Sequence, residues 1–259
     1  MVSQAPRASM SSRPQSKQRL DQRLVELGLA PSRTKAQALI LAGQVVVDDQ
    51  RIDKCGTQVL ESAHVRLKDG ATLRYVSRGG LKLEAALDHF GVDPGGLVCA
   101  DLGASTGGFT DCLLQRGALR VHACDVGYGQ LDARLATDPR VVVHDRLNVR
   151  AVCQRDLGEA VRLCTIDVSF ISLRLVLPAA RSLLSPGSRL VALVKPQFEV
   201  GIGQIGKGGV VRDVVARQQA IDGIATAATA AGFEVAGVMD SPIHGPAGNV
   251  EALLSASAR

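Results

Sequence analysis

Tryptophan is absent from this 259-residue chain, and aromatic residues together make up only 3% of it. A core must therefore be assembled from Val, Leu, Ile and Ala, and hydrophobic residues at 46% are abundant enough for one medium domain and a small one. No run of about 18 consecutive apolar residues occurs, so no transmembrane helix is expected. The basic N-terminus lacks the apolar h-region of a secretory signal. Cys55, Cys99, Cys112, Cys124, Cys153 and Cys164 form no C-x-x-C pair. Zinc-site spacing is thus missing and no metal is expected; several of these cysteines lie in apolar runs, as buried free thiols in a reducing cytoplasm do.

What is present is unevenly distributed. Residues 1–82 hold 14 Lys+Arg against 7 Asp+Glu, a net charge of +7, whereas the remainder holds 16 against 18, a net −2. Such asymmetry points to a polyanionic partner for the first third, a solvated basic tail being the plainer alternative. Glycine is plentiful at 27 residues, as a fold with many strand-to-helix turns requires.

Residues 1–17, rich in Ser, Gln, Pro and Arg, read as a disordered basic tail. Leu20, Leu24 and Leu27 then recur at helical spacing up to Gly28, and Ser32 is placed to cap a second helix carrying Ala36, Leu39 and Ile40, closed by Gly43. Val45–Val47 and Val65–Leu67 read as strands, with Asp48-Asp49 as a turn. From about Val98 short apolar runs alternate with helical stretches. Strands are predicted over 97–101, 119–125, 140–143, 161–167, 188–195 and 233–239, with helices over 107–116, 128–136, 171–184 and 211–231. This alternation predicts a doubly wound parallel α/β sheet.

The first of these strands ends in Asp101-Leu102-Gly103-Ala104-Ser105-Thr106-Gly107-Gly108-Phe109. A glycine-rich turn there brings backbone N–H groups and a helix N-terminus against a ligand, and small residues keep Cβ atoms out of its way. The spacing is D-x-G-x-x-x-G-G rather than G-x-G-x-x-G, and a carboxylate at Asp101 suits the ammonium of a methionine moiety better than a dinucleotide's phosphates. Asp125, 22 residues after Gly103, is placed to accept both hydroxyls of a ribose, which S-adenosylmethionine and NAD share.

Asp167 and Lys195 end two predicted strands, where a parallel sheet places its active site. A lysine closing a buried strand is costly unless paired, though it can also snorkel to the surface. Lys82 in Ser77-Arg78-Gly79-Gly80-Leu81-Lys82 and Glu251 in Gly245-Pro246-Ala247-Gly248-Asn249-Val250-Glu251 are further candidates, each by itself more typical of a surface charge.

These stretches together resemble the TlyA family of ribosomal RNA 2′-O-methyltransferases, some of which carry haemolysin names, over about residues 18–255. R-L-D-x-x-L-V-x-x-G-L-A-x-S-R-x-x-A-x-x-L-I-x-x-G-x-V-x-V is similar to an S4 RNA-binding domain. S-R-G-G-L-K-L, D-L-G-A-S-T-G-G-F-T, D-V-S-F-I-S-L, V-K-P-Q-F-E and G-P-A-G-N-V-E are similar to the methyltransferase part, shared with FtsJ-like relatives. The resemblance implies a small α+β S4-like domain over 18–72, a linker over 73–80 and a Rossmann-like, S-adenosylmethionine-dependent methyltransferase domain over 81–259. It implies a catalytic tetrad of Lys82, Asp167, Lys195 and Glu251, and a donor pocket including Asp101, Gly103, Ser105, Gly107, Gly108, Phe109, Asp125 and Asp145. FtsJ relatives often carry Pro and Trp in the glycine loop, where this chain has Thr106 and Phe109.

The implied reaction is 2′-O-methylation of ribose, of cytidine in the family, within ribosomal subunits of the cytoplasm. Arg19, Arg33, Lys35 and Lys54 are the expected phosphate contacts of the basic domain. A lysine can take the hydroxyl proton only when neutral; otherwise its charge can stabilise the forming alkoxide. Competing readings are a membrane-active haemolysin, an RNA-binding module with an inactive methyltransferase domain, and a NAD-dependent oxidoreductase. The first needs a spanning segment or a strongly amphipathic basic helix.

Overall fold

A computed structural model of the chain describes residues 17–68, 74–245 and 247–259, the side chain of Ile202 aside. Of the expected basic tail only Lys17 falls within these residues; Leu73 of the expected linker and Pro246 of the G-P-A-G-N-V-E stretch lie outside them. The chain divides into two compact units, Met1–Thr72 and Leu73–Arg259.

In the first unit β1 (Lys17–Arg19) leads into α1 (Leu20–Glu26) and α2 (Arg33–Leu41), followed by β2 (Val45–Val47), β3 (Gln50–Ile52), β4 (Gln58–Leu60) and β5 (Val65–Leu67). The leucine period buries Leu20 and Leu24 against Ala36, Leu39 and Ile40 of α2. Ser32 caps α2, its hydroxyl accepting from the Lys35 N–H at 3.3 Å. Asp48 and Asp49 both adopt positive φ, 46° and 63°, which the two-residue hairpin between β2 and β3 demands. β2 lies between β3 and β5, while β1 pairs with β4. β1 and β3 are largely polar, and β4 (Gln-Val-Leu) is too short to show an alternation that a sequence reading could detect.

The second unit opens with α3 (Gly79–Phe90), which starts inside the segment read as a linker. It continues through β6 (Val98–Leu102), α4 (Gly108–Gln115), β7 (Arg120–Cys124), α5 (Ala133–Ala136), β8 (Val141–His144), α6 (Gln154–Leu157) and β9 (Val161–Ile166). Then come α7 (Leu177–Leu183), β10 (Leu184–Val194), α8 (Val214–Ala230), β11 (Phe233–Asp240) and β12 (Ala252–Ala258). Seven strands form one sheet in the order β11-β12-β10-β9-β6-β7-β8. From β6 the chain moves outward through β7 and β8, then returns to β9 and β10 on the other side. The crevice between the carboxyl ends of β6 and β9 is therefore the topological switch point, the usual ligand position in such sheets.

Strand residues alternate between two cores. Ala100, Leu102, Cys164, Ile166, Ala192 and Val194 face one side under α7 and α8. Cys99, Leu163, Val191 and Leu193 face the other, under α3 and α4. Burial on both faces explains why these strands read as continuous apolar runs.

Several elements differ from the sequence reading, which placed no helix at α3 or α6. The helix predicted over 128–136 shortens to α5, the chain before it being turned by Gly129 at φ 62°. The helix predicted over 171–184 divides into a 3-10 turn (Leu173–Leu175) and α7, because Pro178 has no N–H to continue a hydrogen-bonded ladder and instead sits in the first turn of a new helix. β12 runs antiparallel between β10 and β11, so the sheet is not wholly parallel. Its Ala-Leu-Leu-Ser-Ala-Ser-Ala composition has little intrinsic strand preference; its pairing on both sides decides.

Candidate active site

The loop after β6 shows a different use of glycine from the one expected. A Cβ on Gly103, whose φ is 86°, would lie 2.6 Å from the Asp167 carbonyl oxygen. On Gly107, at φ 94°, it would strike the Leu131 and Leu135 side chains, and on Gly108 it would meet Ser77 Oγ and lie 3.0 Å from the Gly80 nitrogen. The space these glycines leave is thus filled by protein rather than kept for a ligand. Ser105, at φ 49°, is the exposed residue of the loop. Asp125 Oδ2 accepts from the Ser105 N–H at 2.8 Å and Oδ1 from the Gly127 N–H at 2.7 Å. Asp145 Oδ2 accepts from the Gly129 N–H at 3.0 Å. These two half-buried carboxylates brace the loops around the crevice and retain lone pairs for hydroxyl donors.

Asp101 and Phe109 depart from the expectation that they face a donor. Asp101 has no exposed surface; its carboxylate accepts from the Thr110 hydroxyl at 2.7 Å and the Thr165 hydroxyl at 3.0 Å. Alternation along β6 turns it into the layer beneath α4, and burial raises its acid to about 7. Phe109 is 2% exposed and belongs to the core under α3 and α4.

Lys82, Asp167, Lys195 and Glu251 come together where β9 and β10 end and β12 begins. β10 pairs with β12 through Val194 and Ala252, so one further step sets Lys195 opposite Glu251. β9 runs alongside β10 and releases Asp167 just after Ile166. By strand alternation all three face α3, which contributes Lys82 from its first turn. Lys195 Nζ lies 2.6 Å from Asp167 Oδ1 and donates to Ser169 Oγ at 2.8 Å. Lys82 pairs with Glu251 Oε2. The other Glu251 oxygen is buried without a hydrogen-bond partner among the described residues and packs against Gly245. Side-chain exposure is 12% and 24% for Lys195 and Asp167 but 8% and 1% for Lys82 and Glu251, so the first pair stands at the mouth and the second behind it.

Sequence reasoning missed the loops that carry this mouth. Phe170 is 92% exposed at φ 64°, and its ring meets that of Phe198 at 5.3 Å. Glu199 reaches across to accept from the Ser172 hydroxyl at 2.6 Å and the Leu173 N–H at 2.8 Å. Both D-V-S-F-I-S-L and V-K-P-Q-F-E were visible as motifs; their contact depends on loop conformation.

In the first unit Arg19 and Arg33, expected on RNA phosphates, are held by Asp21. This carboxylate is wholly buried and accepts from Arg19 at 2.9 and 3.0 Å, Arg33 at 2.9 Å and Gln37 at 2.7 Å. The Arg19 guanidinium holds the acid well below the usual carboxylate range. Lys54 is exposed and Lys35 half-buried. Among the described residues no group of His, Cys, Asp and Glu is arranged to hold a metal ion, and no helix is long and apolar enough to cross a membrane.

A doubly wound sheet with one antiparallel strand next to its edge, and a glycine loop opening at the switch point, define a Rossmann-like methyltransferase fold. The description "FtsJ-like methyltransferase" matches residues 75–258 and "S4 domain" matches residues 18–65. YqxC of Bacillus subtilis, which carries an rRNA methyltransferase name, is 48% identical across 92% of this chain and 85% of its own. The 16S/23S rRNA (cytidine-2′-O)-methyltransferase TlyA of Mycobacterium tuberculosis is 47% identical across 91% and 88%. A solved structure from Streptococcus thermophilus, which carries a hemolysin name, superposes with a TM-score of 0.74 at 42% identity, covering 95% of this chain and 90% of that one. The chain belongs to the TlyA family of FtsJ-like methyltransferases that bear an S4 domain.

Proposed function

We propose that this protein transfers a methyl group from S-adenosylmethionine to the 2′-oxygen of a cytidine ribose in 16S or 23S ribosomal RNA, as the names of its relatives state for them. The observation that carries this reading is the meeting of Lys195–Asp167 with Lys82–Glu251 beside the glycine loop. The donor-side residues fit the group. Asp125 retains acceptor capacity for two ribose hydroxyls, while Ser105 and Asp145 border the same crevice. Asp101, Gly107, Gly108 and Phe109 would act from behind, by holding the loop's shape. When bound, the donor supplies an electrophilic methyl carbon on a sulfonium.

Lys195 would hold the target hydroxyl and either take its proton or stabilise the forming alkoxide, with Asp167 and Ser169 fixing its direction. Lys82 adds a second positive charge, anchored by Glu251. The new bond is O–CH3 and the broken one S–CH3; the hydroxyl proton passes to Lys195 where its amine is neutral, or directly to water where Lys195 is charged and stabilises the alkoxide. In-line alignment of oxygen, carbon and sulfur supplies much of the rate. The exposed ring of Phe170 offers a face on which an unstacked base can lie while its ribose enters the mouth. The S4-like unit, with Lys35 and Lys54 and the remaining donors of Arg19 and Arg33, would dock structured RNA. A soluble, cytoplasmic enzyme that meets ribosomal subunits follows from this substrate.

The test is methyl transfer from labelled donor to isolated ribosomal subunits under single-turnover conditions, followed by mapping of the modified ribose. Lys195→Ala should lower the rate by about 10²–10⁴-fold with donor affinity changed less than about twofold, the pattern of an interaction made only in the transition state. A near wild-type rate would remove Lys195 from the reaction.

A further inference from the structure

We infer that Glu199 is a positioning residue: it ties the Asp167–Leu173 loop to the Lys195–Glu199 loop and so fixes the direction in which Lys195 points. The inference rests on the role proposed above for Lys195 and Asp167. Both loops leave the ends of neighbouring strands, β9 and β10, where ladder hydrogen bonds stop. The Lys195 side is stiffened locally. Pro196 begins a 3-10 turn, Phe198 N–H donates to the Lys195 carbonyl at 2.9 Å, and Glu199 N–H to the Pro196 carbonyl at 3.0 Å. The Asp167 side has less support. Ser169 and Phe170 are exposed, and Phe170 sits at positive φ, unfavourable for a residue with a Cβ.

What holds the second loop on the first is the Lys195 contact with Asp167 and Ser169, the Phe170–Phe198 ring contact, and the two bonds accepted by Glu199. Only the last joins loop to loop through a charge-assisted acceptor that takes no direct part at Lys195. The Glu199 carboxylate is half-buried, and both its oxygens are given to a hydroxyl and a backbone N–H. Burial raises its acid, while these two donors oppose that rise. Among the described residues no cation is in hydrogen-bond contact with it, the Arg174 charge acting only from farther off, and a carboxylate kept in such surroundings is expensive. A loop whose placement sets catalytic geometry accounts for it, since a misplacement of about 1 Å can cost about 10²-fold in rate.

Three variants test this with the full chain and isolated ribosomal subunits. Glu199→Ala should lower the single-turnover rate by about 10²-fold, with affinity for S-adenosylmethionine and for the subunits held within about twofold. Glu199→Gln should restore the rate to within about threefold, because its carbonyl can accept from the Leu173 N–H while its amide donates to Ser172 Oγ. Ser172→Ala, which removes the bond to Glu199 and the cap that Ser172 Oγ provides to the Arg174 N–H but no charge, should cost about tenfold and carries the test if Glu199→Ala does not fold. Glu199→Ala at the wild-type rate, Glu199→Gln as slow as Glu199→Ala, or donor affinity falling in step with rate would each overturn the inference. Lys195→Ala assayed in parallel separates the two levels: a fully active Lys195→Ala sinks the site reading, whereas an inactive one beside a fully active Glu199→Ala sinks only the role of Glu199.

Discussion

Asp101 shows how far a single residue's surroundings can move it from the role its position suggests. Its carboxyl, with an ordinary value of 3.8, is lifted to about 7 by burial between Thr110 and Thr165. Because the folded value lies above the unfolded one, folding binds a proton between about pH 4 and pH 7, and stability falls as pH rises through that window by about 1.4 kcal/mol per unit. Asp101→Asn lacks this proton. Its unfolding free energy relative to wild type should therefore increase by about 3 kcal/mol between pH 5 and pH 8 in urea titrations followed on the second unit. A difference that does not change with pH would mean that Asp101 keeps one ionisation state across the range. Asp167 and Lys195 were marked in the sequence by predicted strand ends, whereas Lys82 and Glu251 came only with the family resemblance. The inward position of Asp101 was not marked: it shares the face of Asp167 and Lys195 but lies within β6, where Thr110 and Thr165 enclose it, rather than past its end. The glycines of the donor loop were visible as glycines, but what crowds them is Asp167, Leu131, Leu135 and Ser77, contributed from elsewhere in the chain.

At the scale of elements, the helix pair of the first unit is organised by Asp21 in α1. It draws Arg19 from β1 and Arg33 and Gln37 from α2 onto one buried carboxylate. Removing one partner of a buried ion pair typically costs about 3–5 kcal/mol, a large fraction of what so small a core supplies. Asp21→Ala should therefore abolish slow hydrogen exchange across residues 17–68 while exchange in 74–259 stays slow; full protection in 17–68 would show that the apolar contacts of Leu20, Leu24 and Ile40 suffice alone. The leucine period, the Ser32 cap and the Val45–Val47 strand were legible because each is local. Asp21 was visible only as the third letter of a motif, and its arginines were read as RNA contacts because charge in a sequence carries no record of its partner. β12 escaped for a related reason: its strand state comes from the two neighbours that flank it.

For the whole molecule, the reading proposed above assigns RNA docking to the first unit, in keeping with the net +7 of residues 1–82, and chemistry to the second. Deleting residues 18–72 should leave donor affinity within about twofold, measured by calorimetry, yet abolish methylation of ribosomal subunits. Each lost phosphate contact should also flatten the dependence of log affinity on log salt by about one unit. Methylation at the full rate by the shortened protein would show that docking resides in the second unit instead. The order of the elements has one more effect. β12 follows every other element of the fold, and Glu251, which anchors Lys82, stands immediately before it. A chain emerging from N- to C-terminus has its glycine loop, Asp167 and Lys195 well before it has Glu251. On the reading proposed above, a product truncated ahead of Glu251 would lose both the anchor of Lys82 and the strand that joins β10 to β11.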